Sequence, residues 1–368
     1  MDVTAPFARR GSRRHMMRRR APIAGIALAG LMVLAACAEG GQDEASGRTS
    51  ATESNSPTTV RVAANGVTSD IGLFLAEEYG YFDKVNITME FEAIRSAGDI
   101  IPMIADGAVD VYASAFSAGL VNAVQGGVDL KVVADKGRLT DGSSPSYGMM
   151  LVRSDVADEI KGPADFKGRA IAWGDPATAS TMMLEQYLDQ AGLTLDDVRL
   201  STLSMPERIV ALEQGAVDLA NVFEPTGTQA LEAGYAKLLF DLAEVSPGQQ
   251  QAVLAVSGEW AEENEQAVTG FLSAYACGVA AYMEAVESGD GLEEMWAILE
   301  RERGAYPEGL LNKAIPPVLD PESMPNVDNI QEQIDWYAEK KFIKRPMPAE
   351  DLVDVSYLEN RIPCDELE

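Results

Sequence analysis

From residue 58 onward, apolar positions follow two alternating rhythms. Short apolar and β-branched runs fall at 60–64, 87–91, 109–112 and 130–134. Between them, apolar residues recur every three or four positions. The first rhythm predicts strands and the second predicts helices. One helix is expected over 71–79, with Ile71, Leu75 and Tyr79 on one face and Gly80 as its stop. A second, capped by Ser96 or Asp99, ends at 105 before Gly107, and a third covers 118–125 before Gly126 and Gly127. An apolar strand at 149–152 leaves this group, and the alternation restarts. Strands are then expected at 170–173, 198–203, 217–222 and 237–241, and helices at 178–190, 207–214 and 226–233. Strands alternating with helices of about ten residues predict βαβ units and a mainly parallel sheet. The last third differs. A strand at 252–256 returns to the first group, followed by helices at 262–285 and 293–302. An irregular stretch, 315–325, precedes an amphipathic helix at 330–340 with Ile330, Ile334 and Tyr337 on one face. The acidic end, 351–368, reads as surface-bound.

One motif occurs twice. Met103-Ile104-Ala105-Asp106-Gly107-Ala108-Val109-Asp110 matches Ala211-Leu212-Glu213-Gln214-Gly215-Ala216-Val217-Asp218. Both run from helix through a glycine stop into Ala-Val-Asp and a strand. The flanking elements keep the same order. The chain therefore reads as two doubly wound α/β lobes, 58–150 with 252–368 and 151–251, with a ligand cleft between them and a helical C-terminal extension. Ligands of such sheets bind at the carboxyl ends of the strands.

The first 57 residues follow neither rhythm. Seven arginines between Arg9 and Arg20 precede an apolar run at 23–34, broken only by Gly25 and Gly30. Leu34-Ala35-Ala36-Cys37 follows. Charged, then apolar, then small is the layout of a secretory signal. The run is too short for a spanning helix of ~20 residues. Leu34–Cys37 resembles the lipobox of bacterial lipoproteins. That resemblance implies removal of 1–36 and acylation of Cys37 at the outer face of the cell membrane. Residues 38–57 contain no large apolar side chain and read, with Cys37, as a flexible tether over 37–57.

Composition narrows the chemistry. The chain has 29 basic and 58 acidic residues, and seven of the basic ones lie in the leader. Such an excess of acid repels nucleic-acid phosphates and anionic lipid headgroups. The single histidine, His15, also lies in the leader. Its loss excludes Ser-His-Asp and Cys-His sites, histidine acid–base chemistry and most transition-metal sites. No cofactor and no metal is expected. There is no paired-carboxylate motif for an enzyme that lacks histidine. Cys277 and Cys364 form either one disulfide or two separate buried thiols.

Several stretches, in order, resemble one family. Residues 72–82, Gly-Leu-Phe-Leu-Ala-Glu-Glu-Tyr-Gly-Tyr-Phe, are similar to the first helix of the solute-binding proteins of ABC importers. The branch is the one shared by nitrate, sulfonate, taurine and thiamine-pyrimidine binders. Asp106–Asp110, 126–134, Gly162–Arg169, Leu195–Val198 and Glu224-Pro225 carry the same likeness over roughly 60–299. It implies a bilobed periplasmic-binding-protein-like fold, a monomer that closes on a small-molecule solute and delivers it to a membrane permease.

Four loops that follow strands are candidates to hold the solute: 65–70, 114–117, 174–181 and 223–226. Helix N-termini there present unpaired N–H groups. Asn65, Ser69, Asp70, Ser114, Ser117, Gly174, Ser180 and Thr181 are the candidate polar contacts. Phe116, Tyr147, Trp173 and Phe223 are candidates to stack on a planar ligand. By the repeat, 114–117 and 223–226 are equivalent and should face each other, with Glu224 accepting from the ligand. The loops hold Asp70, Asp175 and Glu224 but no Lys or Arg; Arg95 and Arg138 are merely nearby. That favours a neutral or cationic heterocycle, such as a thiamine-pyrimidine-type compound, over a sulfonate, taurine or nitrate.

Overall fold

The first apolar run becomes β1 (Thr58–Ala64), and the helical rhythm after it becomes α1 (Ile71–Glu78) and α2 (Tyr81–Lys84). The structure, a computed structural model, describes residues 56–64, 67–94, 97–303, 306–307 and 309–368. The leader, Cys37, Asn65, Arg95 and Ser96 lie outside the described residues. The first lobe continues with β2 (Ile87–Ala93), α3 (Ala97–Ala105), β3 (Val111–Ala115), α4 (Ala118–Gln125) and β4 (Leu130–Arg138). The second comprises β5 (Gly148–Arg153), β6 (Ala170–Trp173), α5 (Ala179–Asp189), β7 (Arg199–Thr202), α6 (Met205–Glu213), β8 (Leu219–Phe223), α7 (Thr226–Glu232) and β9 (Ala236–Asp241). The chain returns through β10 (Gln250–Ser257) and ends in α8 (Gly258–Glu263), α9 (Glu265–Ser288), α10 (Leu292–Arg303), α11 (Val327–Glu339), α12 (Ser356–Glu359) and α13 (Cys364–Leu367).

Two five-stranded sheets have matching orders, β2-β1-β3-β10-β4 and β7-β6-β8-β5-β9. In each, a parallel trio is extended by an antiparallel strand. Val62 pairs with Phe91 and Val111 in parallel, whereas Leu254 on β10 pairs antiparallel with Ala113. Ile171 pairs with Leu219 in parallel, whereas Leu151 on β5 opposes Ala220. The sheets are thus mainly parallel as expected, each with one strand, β10 or β5, that enters against the βαβ direction and lies between strands of the common direction. All of β5 belongs to the second sheet. The lobe boundary expected at 150/151 therefore shifts back to the connection 139–147.

The repeated Gly-Ala-Val-Asp motif has one structural job in both lobes. Gly107 and Gly215 take φ of 66° and 73°, the left-handed region glycine tolerates best. Ala108 N then donates to Met103 O, and Ala216 N to Ala211 O. Each Asp binds back to the neighbouring strand: Arg61 N donates to Asp110 Oδ2 at 2.8 Å, and Ala170 N to Asp218 Oδ2 at 3.1 Å. An arginine pairs with each carboxylate, Arg61 with Asp110 and Arg153 with Asp218. Val109 and Asp110 therefore belong to the turn, and the strand expected at 109–112 starts at Val111.

The C-terminal helices back the first lobe. α9 crosses α1 through two glycines. A Cβ on Gly278 would lie 2.2 Å from Gly72 O and 2.9 Å from Ala76 N, both main-chain atoms that cannot rotate away. Gly278→Val should therefore lower unfolding free energy by about 3 kcal/mol. Urea denaturation measures it, and a change below about 1 kcal/mol contradicts so close a crossing. The acidic tail lies on the surface, as expected, but is pinned there by buried side chains. Leu352 and Leu358 are fully buried, and Cys364 is bonded to Cys277 of α9 with Cα atoms 5.4 Å apart. Three buried leucines and one cysteine outweigh the acidic residues around them. No helix among the described residues is long and apolar enough to cross a membrane.

Candidate functional site

In each sheet, successive connections leave in opposite directions from a central pair, β1 and β3 in one lobe and β6 and β8 in the other. The crevices at the carboxyl ends of those pairs are where such sheets take ligands.

In the first lobe, a single helical turn after β1, Thr68–Asp70, is wholly buried. Val67 N donates to Asp70 Oδ2 at 2.8 Å. The other oxygen, Oδ1, lies 2.5 Å from Lys136 Nζ, which also donates to Ser69 Oγ at 3.1 Å. Lys136 and Asp70 are 1% and 0% exposed, so this is a buried, mutually neutralised pair. Next to Lys136, Gly137 has φ of 142°, and a Cβ there would meet Tyr147 Oη at 3.2 Å and Ser69 Cβ at 3.3 Å. Ser69, Lys136 and Tyr147 are thereby gathered at one point. Burial pushes the Tyr147 hydroxyl well above its usual range, so it stays a neutral donor. Its ring packs on Phe223 of the second lobe at 5.5 Å, and its carbonyl accepts from Glu224 N at 2.8 Å.

After β3, Ser114 and Phe116 are buried, and Ser117 Oγ caps α4 by accepting from Leu120 N. Phe116 faces Tyr337 of α11 within the first-lobe core. The loops of the two lobes touch directly here. Ser117 bridges Thr178, and Ala118 N donates to Ala177 O at 3.0 Å. The direct partner of 114–117 across the lobes is thus the loop after β6, while Phe223 meets Tyr147. Beside them, Gln251 O accepts from Phe116 N, and its side-chain Nε2 is buried without a partner.

In the second lobe, Trp173 Nε1 donates to Thr181 Oγ1 at 2.9 Å and both side chains are buried, so each is spent on the core. Ser180 is buried in the first turn of α5. Gly174 opens the loop after β6, and a Cβ there would lie 2.4 Å from Arg208 Nη2. Arg208 reaches over from α6. Its Nε donates to Leu203 O at 3.0 Å and its Nη1 to Asn221 O at 2.9 Å. It is 8% exposed, yet among the described residues no carboxylate lies within ion-pair distance of it. Burial lowers its pKa to about 10, so it remains charged at neutral pH. Asn221 is 1% exposed, and its Nδ2 has no partner.

Glu224 does not stand free to accept from a ligand. Thr228 N and Thr228 Oγ1 donate to it at 2.9 and 2.8 Å, and Ile315 N at 3.1 Å. Burial pushes its carboxyl up, and those donations pull against it. It fastens α7 to the C-terminal extension. A second fastening lies outside the crevice, where a groove of about 680 Å³ separates α5 from α11. There Glu185 accepts from Trp336 Nε1 at 2.7 Å and from Lys340 Nζ at 2.6 Å.

Sequence reasoning missed Lys136 and Arg208. Each left a trace. Lys136 lies on the continuation of the apolar run 130–134, which extends as a strand to Arg138. Arg208 sits four residues before Leu212 on the inward face of an amphipathic helix, where a charge needs a reason.

The architecture has counterparts among known proteins. An Escherichia coli K12 protein named as an aliphatic-sulfonates-binding protein is 25% identical over 183 residues, 50% of this chain. The chain spans about half the length of that relative (49%). The alkanesulfonate-binding protein of Xanthomonas axonopodis pv. citri, solved bound to MOPS, superposes with a TM-score of 0.63 at 17% identity, covering 81% of this chain and 99% of its own. The nitrate-binding protein of Synechocystis PCC 6803 gives 0.64 at 13% identity, covering 85% and 91%. At these identities the two structures speak for the fold alone, and both are bilobed binding proteins. The model of the family described as NMT1/THI5 like matches residues 68–287, which is more than half of the chain and includes both crevices. The chain belongs to the NMT1/THI5-like family.

Proposed function

We propose that this chain is the solute-capturing component of an ABC importer, and that its solute is a small organic molecule bearing an acid group. Two lobes close over the solute by rotation about 139–147 and the return into β10. The closed form is then read by a permease in the membrane. Cys37, acylated, and the tether that follows it hold the monomer at the outer face of the cell membrane. The disulfide between Cys277 and Cys364 suits that oxidising setting. No chemistry is performed on the solute.

The observation that carries the acid group is Arg208, a buried guanidinium without a carboxylate at the crevice of the second lobe. A neutral or cationic heterocycle was favoured because the loops carry no Lys or Arg. That ground is gone, since β4 and α6 bring Lys136 and Arg208 to the strand ends. The sulfonates named for the relatives are the nearest chemistry to what this crevice would accept.

A thermal-shift panel tests the reading: alkanesulfonates, taurine, short carboxylates, nitrate, pyrimidines and thiamine. At a hundredfold excess over Kd, a true ligand adds about 2.7 kcal/mol of stability. An acid from the panel should produce the shift. A shift with pyrimidine or thiamine only, or with nothing in the panel, defeats the acid-bearing solute.

A further inference from the structure

We propose that the acid group of the solute is seated in the second lobe, on Arg208 Nη2 and Asn221 Nδ2 over Gly174, and not on Lys136 of the first lobe. The proposal rests on the reading of this chain as a receptor for an acid-bearing solute, and adds where that acid goes.

The two buried cations differ in what already surrounds them. Lys136 has Asp70 at 2.5 Å and Ser69 at 3.1 Å, so its charge is matched inside its own lobe. A second anion there would have to be balanced against Asp70. Arg208 has no such match. Its Nε and Nη1 are taken by the carbonyls of Leu203 and Asn221, which aim the fork but do not neutralise it. A desolvated cation with only neutral partners, here carbonyls and the Met205 thioether, is unfavourable unless an anion arrives. An arginine is the side chain best shaped to receive an oxyanion, through paired N–H donors in one plane.

Asn221 adds an independent sign. Its Oδ1 lies 3.4 Å from Arg208 Nη1, which holds the amide against the guanidinium. That Nδ2 is a buried donor without a partner, and leaving such a donor empty is unfavourable. Two donors on adjacent groups suit two oxygens of one sulfonate or carboxylate. The place is also right: Gly174 directly follows β6 and Asn221 lies on β8, the pair that forms the crevice. Gly174 takes no left-handed backbone, so glycine is there for space. A methyl group would sit 2.4 Å from Nη2 and 3.3 Å from Cζ and push the guanidinium off its seat.

Calorimetric titration of the full chain tests this, using whichever sulfonate or carboxylate binds best, with a matched alkanesulfonate and alkanecarboxylate pair to separate the two acids. Arg208→Met should weaken binding about 100-fold. Arg208→Lys, which keeps the charge but not the fork, should weaken it about tenfold. Gly174→Ala should weaken it in the same direction. Asn221→Asp is the variant that guards against misfolding. It places a carboxylate beside Arg208, so the melting temperature should rise while anion affinity falls about 100-fold. A merely structural arginine would not produce that opposition. Wild-type affinity in both Arg208→Met and Asn221→Asp overturns the seat while the acid-bearing solute stands. A wild-type chain that binds none of the acids overturns the underlying reading and the seat with it.

Discussion

Replacing Lys136 with Met should lower the unfolding free energy by about 3–5 kcal/mol, the usual result of removing one partner from a buried ion pair. Lys136 Nζ is the close partner of Asp70 Oδ1, and both side chains are out of water. Without the ammonium, Asp70 keeps a single donor, Val67 N, for a carboxylate buried in the turn that leads from β1 into α1. A surface pair of the same geometry would be worth no more than about 1 kcal/mol. Lys313 with Glu232, both more than half exposed, is such a pair and makes a suitable comparison. The double variant Lys136→Met/Asp70→Asn should recover most of the loss. It removes the stranded charge and keeps an acceptor for Val67 N. Urea denaturation of the two variants measures the difference. If the double variant is as unstable as the single one, packing around Lys136, and not its charge, holds the turn. The pair also positions Ser69, so the single variant should disorder the first-lobe crevice as well as weaken the fold.

The fold was legible because its signals are local and repeated. Gly107-Ala108-Val109-Asp110 and Gly215-Ala216-Val217-Asp218 announce a left-handed stop, a turn and a strand, and each Asp is then used by its neighbouring strand in the same way. The periodic elements appear where the alternation puts them, within a few residues. What the sequence hid is non-local. Nothing along the chain says that β5 runs antiparallel to β8, because direction in a sheet depends on the end at which the chain re-enters it. Nor does spacing reveal that Glu224 is filled by Thr228 and Ile315, since Ile315 lies 91 residues away.

The candidate site was read less well than the fold, for one physical reason. The loops after the strands supply acids but no cation, and the cations at these crevices come from elements that are not those loops. Lys136 projects from β4 and Arg208 from α6, and each is inside the protein although charged side chains are mostly exposed. Ser69 and Tyr147 converge on Gly137, and Ser117 lies at the contact between lobes. Phe116, Trp173 and Thr181 went to the cores, the common fate of aromatics beside strands and of hydroxyls that find an indole N–H. The two fastenings outside the crevice, Glu224 to Ile315 and Glu185 to Trp336 and Lys340, tie the second lobe to the extension that follows β10. The second lobe is therefore tied to the C-terminal third, and the state of that third bears on the candidate site.

Its state depends on one bond, and Cys364→Ser should lower stability by about 4 kcal/mol. The bridge closes a separation of 87 residues. A loop of that size corresponds to between about 3 and 4.7 kcal/mol of chain entropy removed from the unfolded ensemble. The tail has few other means of staying put. α12 and α13 have four residues each, far below the length at which a helix holds itself. Leu358 and Leu367 join the core around α9, and Ile362 N donates to Ser273 Oγ at 2.9 Å. Those contacts give the severed tail a place to dock but not a reason to remain there. The loss should therefore appear first as local opening of 356–368, with faster amide exchange and proteolysis there before the lobes unfold. Cys277→Ser should match Cys364→Ser, and the double variant should be no worse than either, because all three remove the same bond. Added reductant should bring the wild-type melting temperature down to theirs and leave the variants unmoved. A loss below about 1 kcal/mol would mean that Leu358, Leu367 and the Ile362–Ser273 bond close the loop unaided, so that the disulfide only locks what packing has already chosen.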